Sequence, residues 1–247
     1  MTWEIEELLK ASENSQRCQR NYDLSREIPE YDLRALAQIV ANSPSKQNEK
    51  HIGLAVVTNK NIIQQLYNKT KTVILKPNNL SIEDVCDNSG EKWEQDQRYV
   101  IENSQVLASA VFVFYKDVDG TYLEAGDSIF AMKEDAPDYT LHMFGRQVFT
   151  SMGIAIGEFL LAAHLMGYKT GCCAAFRQNE IAEILSLSEK KVPYVMVGLG
   201  YHNPNLNRRA SPTLKNKNVP PDRRTGSDEE NWLYPTHDKP TEILFYE

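Results

Sequence analysis

Residues 154–201 read IAIGEFLLAAHLMGYKTGCCAAFRQNEIAEILSLSEKKVPYVMVGLGY, and this stretch predicts four consecutive elements. An apolar helix ends at Gly167, because glycine commonly follows the last turn of a helix. A short strand follows at 170–175, then a helix at 178–185 and an apolar core strand at 192–199. The strand at 170–175 carries no large side chain. Either a planar ring could lie against its backbone, or the strand packs tightly in the centre of a sheet.

The helix before Gly167 begins near Tyr139 and is apolar on almost every side in its second half. Such a helix is either buried or spans a membrane. Arg146, Glu158 and His164 interrupt it, and its uncharged apolar run is shorter than the roughly 20 residues that a bilayer requires. We therefore expect this helix in the core or at a subunit interface, with no membrane as a partner.

The rest of the chain predicts further helices and strands. Pro29 opens a helix with an acidic first turn, and Pro44 stops it, because the residue before a proline is pushed out of the α region. Residues 70–97 show no clear pattern, and residues 202–230 form a polar excursion. The apolar patch at 243–246 needs a sheet edge, either its own or a partner's. The other predicted elements are helices at 2–13 and 61–69 and strands at 52–58 and 106–115.

Composition and charge exclude several classes of function. The chain of 247 residues carries a formal net charge of −7, so it has no basic field that would recruit nucleic acid or an anionic membrane. Its N-terminus lacks the basic and apolar regions of a signal peptide. The cysteines show no metal-ligand spacing, so we expect reduced thiols, no metal site and a cytoplasmic location. They are Cys18, Cys86, Cys172 and Cys173.

Two groups of polar residues are candidates for binding an anion. Arg17 and Arg20 lie three residues apart, and Arg208 and Arg209 follow the last core strand. A phosphate monoester requires several charge-assisted donors from separate segments, and the arginine fork suits it, although a solvated surface arginine is the commoner case. The loop at 44–48, PSKQN, is dense in hydrogen-bonding side chains, which an ordinary turn also requires.

Taken together, these segments resemble the FMN-dependent nitroreductase family. The segment 16–23, QRCQRNYD, is similar to the family's Arg-x-Ser-x-Arg/Lys segment that ends in Phe-Asp. In this comparison Cys18 takes the serine position, Arg20 is the second cation, and Gln16 stands in place of the first arginine.

Three further segments carry the same resemblance. Residues 43–48, SPSKQN, are similar to the family's Ala/Ser-Pro-Ser-x-x-Asn loop, although the Gln-Pro-Trp that usually follows is replaced by EKH at 49–51. The turn at 167–170, GYKT, resembles the family's Gly-Leu-Gly-Ser turn, and 198–201, GLGY, matches its Leu-Gly-Tyr strand end. The resemblance covers residues 14–65 and 100–210.

The resemblance implies an α+β fold, with a mainly antiparallel central sheet flanked by helices, in an intertwined homodimer with FMN at the subunit interface. It implies a single domain over 1–247, with a core over 14–210 and an extension over 211–247 that wraps the partner subunit. It also implies a ping-pong oxidoreductase in which NADH or NADPH reduces FMN and the reduced flavin passes electrons to a nitroaromatic, a quinone or a related acceptor. The alternatives are specialised flavin chemistry (flavin fragmentation, dehalogenation or azoline oxidation) and flavin binding without turnover.

The resemblance implies no catalytic side chain, because N5 of the flavin is the redox centre. The loop at 44–48 would approach the flavin from the neighbouring subunit, and Asn103 would meet its pyrimidine edge. The backbone amides of Ala174 and Ala175 would face N5 and O4. The expected cofactor-binding residues are Arg17, Cys18, Gln19, Arg20, Pro44, Ser45, Lys46, Asn48, Asn103, Cys172, Cys173, Ala174, Ala175, Arg208 and Arg209.

Overall fold

The computed structural model describes residues 4–15, 18–48, 52–70, 72–75, 91–93, 98–117 and 138–206. The helices in these ranges are α1 (Ile5–Ser15), α2 (Glu30–Asn42), α3 (Lys60–Asn68), α4 (Asp138–Leu165) and α5 (Gln178–Ile184). The strands are β1 (Ile52–Val57), β2 (Thr72–Leu75), β3 (Glu91–Trp93), β4 (Arg98–Ile101), β5 (Ala110–Asp117), β6 (Lys169–Cys173) and β7 (Lys191–Gly200). A short 3-10 helix, Lys46–Asn48, lies between α2 and β1.

The chain divides into two compact units by its internal contacts. The first comprises Met1–Thr72 and Glu102–Asn203. It holds a four-stranded sheet in the order β1-β5-β7-β6, in which every adjacent pair is antiparallel. The second comprises Val73–Ile101 and Pro204–Glu247, and its described strands belong to a sheet in the order β2-β4-β3. The α+β class with a mainly antiparallel central sheet is confirmed, and the single domain over 1–247 stays a prediction.

Helices cover both faces of the four-stranded sheet because its central strand is apolar on both sides. Alternate residues of a strand point to opposite faces. Phe112 and Phe114 of β5 pack in the cluster that contains residues of α2 and α4. Val111 and Val113 pack in the cluster that contains residues of α3 and α5. All four of these side chains are fully buried, which explains the continuous apolar run in the sequence.

Local signals fix the ends of the helices as the sequence predicts. Pro29 is the N-cap residue of α2, and Ser43, just before Pro44, is its C-cap residue. The Asn59 side chain caps α3 by accepting hydrogen bonds from the amides of Asn61 and Ile62. Gly167 follows α4 with a φ of +85°, a conformation that favours glycine. The predicted positions of these helices and of β1 are confirmed to within a few residues.

Helix α4 packs on the sheet through one stripe of residues. Met152, Ala155, Phe159 and Ala163 recur at helical spacing and are buried. The Phe159 ring lies 4.6 Å from the Phe112 ring between centroids. By length and composition alone its segment 147–165 is apolar enough to cross a membrane, with a mean hydropathy of 1.6. From the sequence we expected the apolar run to be too short for this. The core helix of a soluble protein passes the same test, and the packing of α4 on the sheet supports that reading.

Several predicted boundaries differ from the structure. Strand β5 begins at Ala110 rather than at residue 106, because residues 103–108 form turns in which the Val106 amide donates to the Asn103 carbonyl at 3.2 Å. Strand β6 ends at Cys173, so Ala174 and Ala175 follow it. Strands β2 and β3 lie in the region 70–97, which gave no pattern. The terminal strand at 243–246 and most of the polar excursion lie outside the described residues.

Candidate functional site

The N-terminal segment 18–23 lies against β6 and the end of β7. The Gln19 amide donates to the Thr170 carbonyl at 2.7 Å. Tyr22 forms an antiparallel bridge with His202, and the Asp23 amide donates to the Tyr201 carbonyl at 2.8 Å. The segment that carries Cys18 and Arg20 is therefore held by backbone pairing to the last core strand and its neighbour.

A pair of glycines makes room for this arrangement. Gly171 of β6 and Gly198 of β7 are register partners. A Cβ on Gly171 would lie less than 3.0 Å from the Gln19 carbonyl oxygen, and one on Gly198 would lie less than 3.0 Å from that of Gln105. Only glycine allows the backbone at Gln19 to approach β6, and the backbone at Gln105 to approach β7, so closely. The buried Tyr22 side chain completes the contact, because its hydroxyl donates to the Gly198 carbonyl at 3.1 Å.

Predicted cofactor-binding residues from three segments meet beside β6. Burial raises the pKa of the Cys173 thiol to about 11, while an Ala175 backbone hydrogen bond, the charge of Arg20 and the Asn103 side chain act in the opposite direction. The Ala175 amide and the Asn103 side chain therefore lie within hydrogen-bonding reach of Cys173, and the charge of Arg20 lies near it. Cys18 is a further neighbour of Cys173. The segment that carries Arg20 pairs with β6 through the Gln19 amide, so a cation lies near the place where the Asn103 amide and the small residues of β6 meet.

Asn103 is positioned by its own turn. Its backbone amide donates to Oγ1 of Thr70 at 2.7 Å, and its side-chain oxygen accepts from the Gln105 amide at 3.1 Å. Thr70 in turn bridges to Phe176, just after the predicted amides of Ala174 and Ala175. Ala174 is exposed, so one side of the backbone that follows β6 is open.

The predicted loop at 44–48 is anchored on α4 instead. The Lys46 amide donates to Oγ of Ser151 at 2.9 Å, and that hydroxyl donates to the Gln147 carbonyl at 2.8 Å. Asn48 has a φ of +57°, and its amide donates to the Ser45 carbonyl at 3.0 Å. The structure thus places Pro44, Ser45, Lys46 and Asn48 against α4, and the other described members of the set beside β6.

Three predicted phosphate-binding residues, Arg17, Arg208 and Arg209, lie outside the described residues. Sequence reasoning missed others that build the site: Thr70, Thr170, Gln105 and His202. All but His202 are buried polar residues. Their roles depend on hydrogen bonds between distant segments, which leave no local pattern. The signal available for His202 was its place directly after the Gly200-Tyr201 strand end.

Aromatic and charged contacts hold the end of β7. The Arg26 guanidinium lies 3.4 Å from the centroid of the Tyr201 ring. The centroids of the Tyr168 and Tyr201 rings are 5.2 Å apart. The Tyr168 hydroxyl donates to the Asp32 carboxylate. Burial, followed by this hydrogen bond, raises the pKa of Tyr168 well above its ordinary value. The hydroxyl therefore stays protonated and ties α2 to the site.

The thiols beside the site are poorly ionised. Burial raises the pKa of Cys172 to about 12, with smaller effects from Cys18 and Cys173. Thiolates are the reactive form of cysteine. Cys172 and Cys173 are therefore thiols at neutral pH.

One other place in the described part of the chain could hold a ligand by its shape. In the described ranges no group of three or more His, Cys, Asp or Glu residues is arranged to hold a metal ion. A cavity of about 600 Å³ lies beside β1, at the opposite edge of the sheet, and is lined by residues that include Arg26, Glu30, Arg34, Val56 and Lys60. None of the predicted cofactor-binding residues lines this cavity.

His164 makes the stability of this region sensitive to acid. Its Nε2 lies 3.2 Å from Oγ1 of Thr170. Burial, aided by the charge of Lys169, lowers its pKa from 6.5 to about 4. The unfolded chain therefore takes up a proton below pH 6.5, whereas the folded chain does so only near pH 4. The stabilisation is present above pH 6.5 and is lost as the pH falls towards 4.

We expect the variant His164→Gln to lose less stability in acid than the natural chain. Glutamine keeps a partner for Thr170 but does not titrate. Allowing for the partial exposure of His164, the difference should be on the order of 1 kcal/mol between about pH 7 and about pH 5. Urea unfolding of both proteins at the two pH values measures it. An identical acid loss in the two proteins would contradict the assignment.

Comparisons with known proteins agree with this architecture. The family model described as "Nitroreductase family" matches residues 14–201. A nitroreductase family protein from Clostridium difficile 630 has a similar structure, with a TM-score of 0.52, 15% identity and coverage of 89% of this chain and 95% of that one. A nitroreductase-type protein from Exiguobacterium sibiricum 255-15 was solved in complex with FMN. Its TM-score is 0.52 at 16% identity, with coverage of 82% of this chain and 90% of that one.

A protein from Staphylococcus epidermidis ATCC 12228, provisionally described as an NAD(P)H:FMN oxidoreductase, gives a TM-score of 0.53 at 16% identity, with coverage of 81% of this chain and 89% of that one. Structural similarity at such low identity shows the shared fold alone. No curated protein matches the sequence. The family model, however, matches well over half of the chain. The chain belongs to the nitroreductase family.

Proposed function

We propose that this chain is an FMN-dependent oxidoreductase that uses NADH or NADPH to reduce a nitroaromatic, a quinone or a related acceptor by a ping-pong mechanism. The observation that carries the proposal is the pairing of the segment that holds Arg20 with β6, through the Gln19 amide and the Thr170 carbonyl, on the strand that carries Cys173 and has Asn103 beside it. Membership of the nitroreductase family supports it. So does the FMN complex of the Exiguobacterium relative.

The residues beside β6 suit FMN in charge and shape. Arg20 offers a cation for the single phosphate, and a charge-assisted hydrogen bond is about twice as strong as a neutral one. Asn103 offers an amide for the pyrimidine edge. The small residues of β6 leave room for a flat ring, and the exposed Ala174 leaves the following backbone open. Bound FMN would supply the hydride chemistry, and this chain would supply position, orientation and a dry surface.

The Ala175 amide, which the resemblance places opposite the flavin, already has a hydrogen-bond partner in this chain. It hydrogen-bonds the sulfur of Cys173, and sulfur is a weak acceptor. We therefore expect this amide to be available to a better acceptor, such as a flavin carbonyl oxygen. No side chain of this chain is assigned an acid or base role, and water can supply the proton to the acceptor.

Flavin absorbance of the purified full chain tests the proposal. We expect visible flavin bands, release of FMN rather than FAD on denaturation, and bleaching by NADH or NADPH under anaerobic conditions. Reoxidation by a nitroaromatic or a quinone should then restore the bands. Bands that neither nucleotide bleaches would favour a flavin-binding module without turnover. Bleaching without reoxidation by any member of an acceptor panel would favour specialised flavin chemistry.

We also propose a homodimer, and the exposed face of α4 supports it. Gly153 and Gly157 lie four residues apart, and a Cβ on either would meet nothing within 4 Å. Glycine inside a helix destabilises it by about 1 kcal/mol relative to alanine, and among the described residues of one copy no contact at either glycine offsets this cost. Small residues allow two helices to approach closely. Phe149 on α4, and Ile5 and Leu9 on the neighbouring α1, are also exposed apolar residues that a second copy would cover.

The position of the 44–48 loop supports the same dimer. Its anchor on α4 is the buried Ser151, two residues before Gly153 in the chain. The resemblance implies that this loop approaches the flavin of the other subunit, which requires a dimer in which α4 lies near the partner. Strand β1 is an edge of the described sheet, with β5 as its neighbour. We propose that residues 236–247 embrace the partner subunit.

Replacing Gly157 by leucine should separate the dimer. A large side chain on this face prevents the close approach of the helices. Light scattering is expected to give twice 28.2 kDa for the natural chain and 28.2 kDa for Gly157→Leu, with loss of bound FMN. Gln65→Leu, on an exposed position of α3, is the matched control and should stay dimeric. Removal of residues 236–247 should also weaken the dimer. A natural chain that is a flavin-loaded monomer would refute the proposal.

Cys172 and Cys173 should prove to be packing residues and not a redox pair. Adjacent cysteines require a strained ring to bridge, and burial keeps both thiols protonated at neutral pH. The double variant Cys172→Ala/Cys173→Ala should keep at least about a tenth of the NAD(P)H-dependent activity per bound flavin. Steady-state turnover with FMN content measured in parallel decides this. A flavin-loaded variant without activity would show that a thiol takes part.

A further inference from the structure

The side chain of Gln19 is buried and organises the segment that carries Arg20. Only 7% of the residue is exposed. Its Oε1 accepts hydrogen bonds from the amides of Arg20 at 2.8 Å and Asn21 at 2.7 Å. Its own backbone amide donates to the Thr170 carbonyl. Gln19 therefore fixes the backbone of Arg20 and joins it to β6.

The other end of the same side chain faces His202. Nε2 of Gln19 lies 2.9 Å from Nδ1 of His202. Because Oε1 is held by two backbone donors, the group that faces the imidazole is the NH₂. Nδ1 must then accept the hydrogen bond, which leaves the ring N–H on Nε2. This tautomer follows from the positions of the backbone amides.

The backbone around His202 is fixed independently of this contact. His202 bridges to Tyr22, and the Asn203 amide donates to the Asn21 carbonyl at 2.8 Å. The backbone at His202 is thus fixed by its own contacts. Gln19 connects the His202 ring to the backbone amide of Arg20.

We infer that Gln19 and His202 form a positioning pair that orients Arg20 towards the phosphate of the flavin cofactor. This inference rests on the proposed FMN function and changes the expected role of Gln19 from a cofactor ligand to a residue that acts through Arg20. His202 acts on Arg20 indirectly, by holding the side chain of Gln19. Neither side chain needs to touch the cofactor, since the effect is transmitted through hydrogen bonds to the backbone.

Flavin binding with and without the phosphate tests the pair. The probes are FMN and riboflavin, which share the ring system and differ in the phosphate, and flavin fluorescence of the full chain reports both affinities. Gln19→Leu and His202→Leu are each expected to weaken FMN binding about tenfold, because each leaves a polar partner unpaired. Riboflavin affinity should stay within about twofold. His202→Asn should recover most of the FMN affinity, because its side-chain oxygen can accept from Gln19 as Nδ1 does.

A double-mutant cycle with Arg20→Ala separates this inference from the proposed function. If Gln19 acts through Arg20, Gln19→Leu should add little to the loss already caused by Arg20→Ala. Full additivity, or an equal loss of riboflavin, would overturn the positioning pair alone. FMN affinity that Arg20→Ala leaves unchanged would overturn the phosphate site itself, and the pair with it. His202→Leu keeps the backbone contacts of Gln19, so it provides the measurement if Gln19→Leu does not fold, as judged by thermal unfolding of the flavin-free protein.

Discussion

A single methyl group added at Gly198 is expected to destabilise the domain by about 3 kcal/mol or more. A Cβ at this position would lie less than 3.0 Å from the backbone carbonyl oxygen of Gln105 and 3.0 Å from Cβ of Ala108. A backbone atom cannot rotate away as a side chain can. Either the strands β5 and β7 or the turn at 103–108 would have to shift. All three contain residues of the buried core, so the shift is costly.

Denaturant unfolding of Gly198→Ala measures the effect, and Gly171→Ala tests the other member of the glycine pair. Gly171→Ala should be similarly destabilised, because its Cβ would meet the Gln19 carbonyl oxygen. The matched control is Gln65→Ala, at an exposed position of α3 outside the proposed dimer face. Its stability should change by no more than about 1 kcal/mol. A Gly198→Ala protein as stable as the control would show that the described approach of the two backbones is wrong.

Replacement of Arg20 by alanine should produce the largest functional loss. The variant removes a charge-assisted contact to the proposed phosphate, which costs about 1.5–3 kcal/mol, or roughly ten- to a hundredfold in FMN affinity. The fold should stay intact, because the hydrogen bonds that position this segment use the Arg20 backbone. Arg209→Ala should act in the same way, although Arg209 lies outside the described residues.

Fluorescence titration with FMN measures this loss, and Arg177→Ala provides the control. Arg177 is exposed at the start of α5, so its removal changes the net charge equally without touching the site. Its FMN affinity should match that of the natural chain. Equal affinities for Arg20→Ala and the natural chain would remove Arg20 from the phosphate site.

The helices and the long strands were predictable because each is fixed by signals within its own sequence. Helix α2 has Pro29 before its first turn and Pro44 after its end, and α3 has the Asn59 cap. Strands β2 and β3 were missed because a strand of three or four residues is too short to show a period. The start of β5 was placed too early because Val106 is as apolar as the strand itself, although it is buried within a turn.

The site was predictable only where a residue type itself suggests the chemistry. Arg20, Asn103 and Cys173 were expected at the cofactor site from the family resemblance; the structure brings Asn103 to Cys173 and pairs the segment of Arg20 with β6. Their roles in holding FMN stay predictions. Gln19 was expected as a cofactor-binding residue from the same resemblance. Its contact with His202 could not be foreseen, since it joins residues that are 183 positions apart.

That separation has a consequence for how the protein is made. The segment 18–23 becomes ordered by pairing with residues 201–203, which are synthesised almost last in the described chain. A nascent chain therefore lacks the support for Arg20 during most of its synthesis. Contacts so distant along the chain also form slowly, because closing a long loop costs entropy. The segment that carries Arg20 can therefore take up its described position only once the chain has been synthesised through residue 203.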